Sequence, residues 1–217
     1  AGLTRRERVP KFEESLKVMR QFWKGEEVHH EGRYFSIHGT QMALTPYQLP
    51  HPPLWIAAHS HGAAARAGRL GDGVIIGPQI DHQGASALVE TFRQEWHHHH
   101  REAPARVGAW RAILIGADPQ DALSRGGQSG QLTFSRYQEG GMQEQSTVGM
   151  RLTLGDDATE WAILGNYQDC LESLTRCRDE MGLTHVTCQF YNLPADLSAR
   201  LEYLEGFGEE VIRKLAG

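Results

Sequence analysis

The chain has 217 residues, with 22 basic against 27 acidic side chains and a net charge of −5. That length suits one sizeable domain and is too short for two large ones. The acid excess, with no strongly basic block, argues against nucleic acid as a partner, and no apolar run has the length of a membrane span or the layout of a signal peptide.

Arg8–Lys24 carries apolar residues at Val9, Phe12, Leu16, Met19, Phe22 and Trp23. This is amphipathic-helix spacing, and Gly25 stops it. Val28–Ile37 predicts a β-hairpin turning at Glu31-Gly32. The proline-rich Pro46–Pro53 is an extended lead-in to the next element. Leu54–Ala58 reads as a buried strand, His59–Gly62 as a short polar break, Ala63–Leu70 as an alanine-rich helix, and Val74–Ile76 as a second buried strand. A helix over Gly84–His98 and a strand over Val107–Gly116 follow. Gly126–Gly155, rich in Gly, Gln and Ser, reads as a mobile excursion or an insertion that covers a site. Gly165–Met181 is a helix capped by Asn166 and ended by Gly182. His185–Phe190 is a fourth buried strand, and Leu197–Leu215 a closing amphipathic helix. Strands alternating with helices argue for a parallel sheet and an α/β fold.

The unit from Pro53 to Ile76 is the most informative stretch. It is a β-loop-α-turn-β unit, and such units put the loop after the first strand at the carboxyl edge of the sheet, where α/β proteins bind ligands. The loop also opens a helix, whose free N–H groups and dipole favour an anion such as a phosphate. Ser60 adds a hydroxyl, and Gly62 allows close approach to the backbone. An ordinary turn with Ser60 as the helix cap accounts for the same spacing. In Gly71-Asp72-Gly73 the glycines make a tight turn and Asp72 serves its backbone; the turn lies at the amino end of the next strand, away from ligands. Gly77, just past the second strand, lies on the ligand side.

The three cysteines form no disulfide framework. Cys170 and Cys177 fall in step with Tyr167, Leu171, Leu174 and Met181 on one helix, as core residues, and Cys188 lies in a strand. A reduced, cytoplasmic setting fits them, and without a CxxC spacing no metal site is expected. His97–His100 is a solvated run. His29 and His30 point to opposite faces of a strand and cannot share a metal. The absence of GxSxG, HExxH, P-loop and GxGxxG patterns disfavours serine hydrolases, metalloproteases, NTPases and dinucleotide folds.

The order of elements and several phrases resemble the bacterial luciferase-like flavin monooxygenases. The phrases are FWKGEEVHHEGRYFSI, PYQLPHPPLWIAAHS, AAARAGRLGDGVI, WAILGNYQDCLESLTRCRDEMGLTHVTCQF and the closing LEYLEGFGEEVIRKL. The resemblance spans about residues 5–215 and implies a TIM barrel, (β/α)8, treated as a single domain over residues 1–217. Only the C-terminal half, about strands five to eight plus an inserted β-hairpin, is expected here. Four strands cannot close such a barrel. The chain is then a piece of a longer one, the favoured reading, or it pairs with another half.

The resemblance further implies that the FMN phosphate sits on the loop after the first strand of the unit. It assigns cofactor binding to Ala58, His59, Ser60, His61, Gly62 and Ala63, and close approach of the ring to Gly77. The implied activity is oxygenation of a small organic substrate with reduced FMN and dioxygen, with Gly126–Gly155 as the lid and a separate flavin reductase as supplier. A homo-oligomer is expected, with no metal, nucleic acid or membrane partner. A related branch uses a deazaflavin coenzyme for hydride transfer. An inactive half-barrel is the alternative of a different class.

Overall fold

The computed structural model describes residues 4–99, 104–126, 158 and 161–216. The chain divides into two compact units, Ala1–Leu54 and Trp55–Gly217. Gly126–Gly155 lies outside the described residues apart from Gly126 itself. Among the described residues, no helix is long and apolar enough to cross a membrane.

In the first unit, helix α1 runs Arg5–Trp23, and strands β1 (Val28–Glu31) and β2 (Ser36–Thr40) form an antiparallel pair. The turn between them takes four residues, Gly32 to Phe35, rather than the Glu31-Gly32 pair. Glu14 of α1 explains this, because its carboxylate accepts from the backbone N–H groups of Tyr34 at 3.1 Å and Phe35 at 2.9 Å. Alternation along β1 separates the two histidines as expected: exposed His29 meets Glu27 at 2.8 Å, and half-buried His30 meets Glu14 at 3.2 Å.

The second unit holds a five-stranded parallel sheet. Its strands are β3 (Trp55–Ala58), β4 (Gly73–Ile76), β5 (Arg106–Ile115), β6 (Ile163–Gly165) and β7 (His185–Phe190). The ten-residue β5 organises them. Its first four residues pair with β4, its last three with β6, and Gly108–Ile113 with β7. Gly108, Ala109 and Ile113 pair on both sides, so β4 and β6 share one edge of β5 and β7 takes the other. Strand β6 precedes the predicted helix Gly165–Met181 and overlaps it only at Gly165; the sequence pattern does not mark it as a strand. Three residues are too few for a periodic signal, and only pairing with the end of β5 makes them a strand.

Helix α2 (His61–Leu70) presents buried Ala64, Ala67 and Gly68, and α3 (His82–His98) presents Leu88, Val89, Phe92 and Trp96. Small residues on one helix let the larger ones on the other come close. Asp81 caps α3, accepting from the Gly84 N–H at 2.7 Å. The chain is also helical over 119–126. Helix α4 (Tyr167–Met181) is opened by Asn166, which accepts from the N–H groups of Gln168 and Asp169 at 2.9 and 3.1 Å. It closes at Gly182, whose φ of 58° is the left-handed conformation that glycine adopts without strain. Cys170, Leu174, Cys177 and Met181 are buried, as their spacing requires.

The closing helix is not uniform. Helix α5 (Leu197–Phe207) runs into a π-helical turn at Gly208–Ile212, followed by α6 (Arg213–Ala216). Tyr203, Phe207, Val211 and Leu215 all belong to the core on this side of the sheet. They recur every fourth residue, a longer step than the ~3.6 residues of an α-helical turn. The widened turn keeps that stripe on the core.

Candidate functional site

Strand β3 delivers the chain to the start of α2 at the carboxyl edge of the sheet. Ser60 is the N-cap there: its Oγ accepts from the Ala63 N–H at 3.4 Å. Its backbone carbonyl accepts from the N–H groups of Ala63 at 3.0 Å and Ala64 at 2.9 Å. The helix therefore begins at His61, two residues before the expected Ala63, because the cap satisfies the N–H groups that would otherwise hold it open. Among the described residues, the backbone N–H groups of His61 and Gly62 have no partner and point out from the positive end of the helix dipole. A Cβ built on Gly62 would meet no atom within 4 Å, so the backbone is open at this point.

Beside this helix start lies a cavity of about 300 Å³, lined by Ala57, His59, Ile75, Ile76, Gly77, Pro78, Gln79 and Trp110. The volume is at the lower end of the range for small-molecule sites, and the walls are largely apolar. His59 is half-buried, and burial holds its pKa below the ordinary histidine value, which keeps the ring neutral near pH 7. Its ring lies against Gly77: a Cβ at Gly77 would collide with His59 Nε2 and come within 2.9 Å of Cδ2. Gln79 is 2% exposed, and its Oε1 has no hydrogen-bond partner among the described residues. On the wall of a cavity, such an amide is free to hydrogen-bond to a water or to a polar group of a bound molecule.

The structure thus brings together His59, Gly77 and the open amides of His61 and Gly62. It sets the other expected residues apart. Ala58 is fully buried and absent from the cavity lining, since alternation along β3 turns it to the face opposite Ala57. Ala63 cannot supply a free N–H, because Ser60 has taken it. Ser60 is occupied as a cap. The His61 ring lies 2.7 Å from Thr91 Oγ1 on α3 and so anchors the helix start. Gly77 lines the cavity and also leaves room there for the His59 ring. Among the described residues no group of acidic, histidine or cysteine side chains is suited to a metal ion.

Sequence reasoning missed Gln79 and Trp110. A signal existed for the first: Gln79 is the one polar side chain in the run Val74–Ile80. Trp110 sits beside Arg111 in the strand, and neither neighbour reveals which of the two turns to the cavity.

The profile of the luciferase-like monooxygenase family matches residues 1–174. An F420-dependent glucose-6-phosphate dehydrogenase of Beutenbergia cavernae is 26% identical over 224 residues, covering 97% of this chain and 62% of that protein. Among solved structures, a monooxygenase from Streptomyces bottropensis matches with a TM-score of 0.72 at 21% identity, over 98% of this chain and 63% of that one. The coenzyme F420-dependent tetrahydromethanopterin reductase of Methanopyrus kandleri gives 0.70 at 18% identity, over 94% and 62%. The chain spans about three fifths of the length of these relatives. Their fold is the (β/α)8 barrel, of which the parallel sheet here forms part. Matched over most of its length by the family profile, and sharing the fold of the solved structures, the chain belongs to the luciferase-like monooxygenases.

Proposed function

We propose that this chain carries the cofactor-phosphate end of a flavin-type oxidoreductase acting on a small organic substrate. FMN with dioxygen is the first reading. The observation that carries the proposal is the pairing of two open backbone amides, at His61 and Gly62, with an apolar cavity whose buried Gln79 amide lacks a partner. The residues present fit such a group. The helix start offers N–H donors to a phosphate, and Ile75, Ile76 and Trp110 offer an apolar wall to a planar ring.

In this reading, the amides of His61 and Gly62 bind the phosphate and fix the position of the cofactor. The walls exclude water, and Gln79 orients whatever polar edge enters, since its amide both donates and accepts. His59, held neutral by burial, offers one ring nitrogen as donor and the other as acceptor. A reduced flavin, when bound, supplies the electrons for the redox chemistry. A separate reductase as supplier, and self-association of the chain, belong to the same reading.

A deazaflavin cofactor is the second reading, favoured by the likeness over 97% of the chain to an F420-dependent dehydrogenase. Anaerobic titration of the 217-residue chain with reduced FMN, and in parallel with reduced F420, tests both. Saturable binding of one, weakened by Gly62→Val, supports the proposal and names the cofactor. A folded chain that binds neither overturns it for this chain.

A further inference from the structure

Arg111 lies in the middle of β5, 2% exposed. A guanidinium stays charged at any accessible pH, and a buried charge is stable only when it is compensated. Among the described residues Arg111 has no carboxylate partner. One nitrogen donates to the Trp110 carbonyl at 3.3 Å, and another lies 3.6 Å from Met181 Sδ. Both contacts are long and neutral, and they leave most of its five donors unused.

Arg111 lines a cavity of about 40 Å³ together with His82, Ser173, Arg176 and Cys177. This is room for more than one water molecule. Arg176 is exposed and has no ion pair among the described residues, and the half-buried Ser173 makes no hydrogen bond there. The nearby carboxylate, Glu180, is bound at the rim to His82 Nε2 at 2.5 Å. The other nitrogen of that ring, Nδ1, lies 3.9 Å from Cys177 Sγ. Among the described residues, two arginines, a serine and a histidine therefore line one small space with no acidic side chain in its lining. Successive residues of a strand face opposite ways. Trp110 borders the proposed flavin cavity and Arg111 borders this one, so the two lie on opposite faces of the sheet.

We propose that this cavity is a binding site for a small tetrahedral oxyanion, phosphate or sulfate, held by Arg111 and Arg176 with Ser173 as a further donor. Arginine suits this role because its planar fork offers paired donors to such an anion. Bound there, the anion supplies the missing counter-charge and stabilises the packing of α3 and α4 on β5. The inference does not depend on the flavin reading.

Thermal unfolding of the 217-residue chain in rising inorganic phosphate, against chloride at matched ionic strength, tests it. The expected result is a saturable rise in Tm specific to phosphate, as for any ligand bound only by the folded state. Arg111→Met abolishes that rise while keeping the fold, since an apolar side chain of similar length needs no counter-ion. Arg176→Gln weakens phosphate about tenfold, the worth of one charge-assisted hydrogen bond. A response lost in Gly62→Val but retained in Arg111→Met would move the phosphate to the start of α2 and overturn the proposal. No phosphate-specific rise in the unmutated chain, or an equal rise in Arg111→Met, also overturns it. Should Arg111→Met not fold, calorimetric titration of phosphate into Arg176→Gln decides, and wild-type affinity there refutes the site.

Discussion

Replacing Gly62 by valine separates ligand binding from folding at the start of α2. A Cβ at this position meets nothing within 4 Å, so the native packing is not disturbed. On helix propensity, glycine is about 1 kcal/mol and valine about 0.6 kcal/mol less favourable than alanine, a net change of about 0.4 kcal/mol in favour of the variant. Stability should therefore stay within about 0.5 kcal/mol of the parent, read by thermal or denaturant unfolding. Binding should respond differently. The branched side chain stands beside the open N–H groups of His61 and Gly62, where a phosphate would have to approach. Loss of one or two charge-assisted hydrogen bonds is worth about 1.5–3 kcal/mol, or roughly a 10- to 150-fold rise in Kd for the cofactor. The assay is anaerobic titration with reduced flavin, followed by fluorescence or absorbance. An unchanged Kd in a variant of unchanged stability would refute the assignment of the phosphate to this helix end.

Gly77→Ala should behave in the opposite manner. Its Cβ collides with the far end of the His59 ring, which must turn aside, so unfolding experiments should show a loss of about 1 kcal/mol, and an unchanged Tm would contradict that contact. The pH dependence of stability carries the mark of His59. Its folded pKa lies below the ordinary 6.5, so on acidification the unfolded chain takes up the proton first. Its contribution is fully present above pH 6.5 and is lost as pH falls from there to the lower folded value; subtracting the profile of His59→Asn should isolate this slope, and identical profiles would refute it. Burial pushes the thiols of Cys170 and Cys188 up to about 12 and about 11. Native protein at pH 8 should alkylate at these two positions far more slowly than unfolded protein, as peptide mass spectrometry would report. Asn192→Ala removes a side chain that donates to the Ile115 carbonyl at 2.7 Å and accepts from the Ile115 N–H at 3.2 Å and the Tyr203 hydroxyl at 2.5 Å. The loss should cost about 1–3 kcal/mol on denaturant unfolding, and a change within error would show the network to be dispensable.

The amino-acid sequence determined by itself whatever rests on local periodicity and end signals. The buried core strands at Leu54–Ala58 and Val74–Ile76, the helix caps at Ser60 and Asn166, the left-handed stop at Gly182 and the inward face of Cys170 and Cys177 are set by short-range sterics and hydrogen bonding. They stand in the structure within a few residues of where the sequence puts them. The helix start at the carboxyl edge of the sheet was legible for the same reason, to within two residues. Only the tertiary structure decided features that depend on residues distant in sequence. Strand β6 exists because the end of β5 offers an unpaired edge, and the four-residue hairpin turn exists because Glu14 of α1 reaches it. The π-helical turn follows from a core stripe that an unbroken α-helix would rotate away from the sheet. Which neighbour faces which cavity, Trp110 one and Arg111 the other, and whether the Gln79 amide or the Arg111 guanidinium finds a partner, depend on chain segments tens of residues away. Hydrogen-bond satisfaction and counter-charge are properties of the assembled neighbourhood, and no local pattern encodes them.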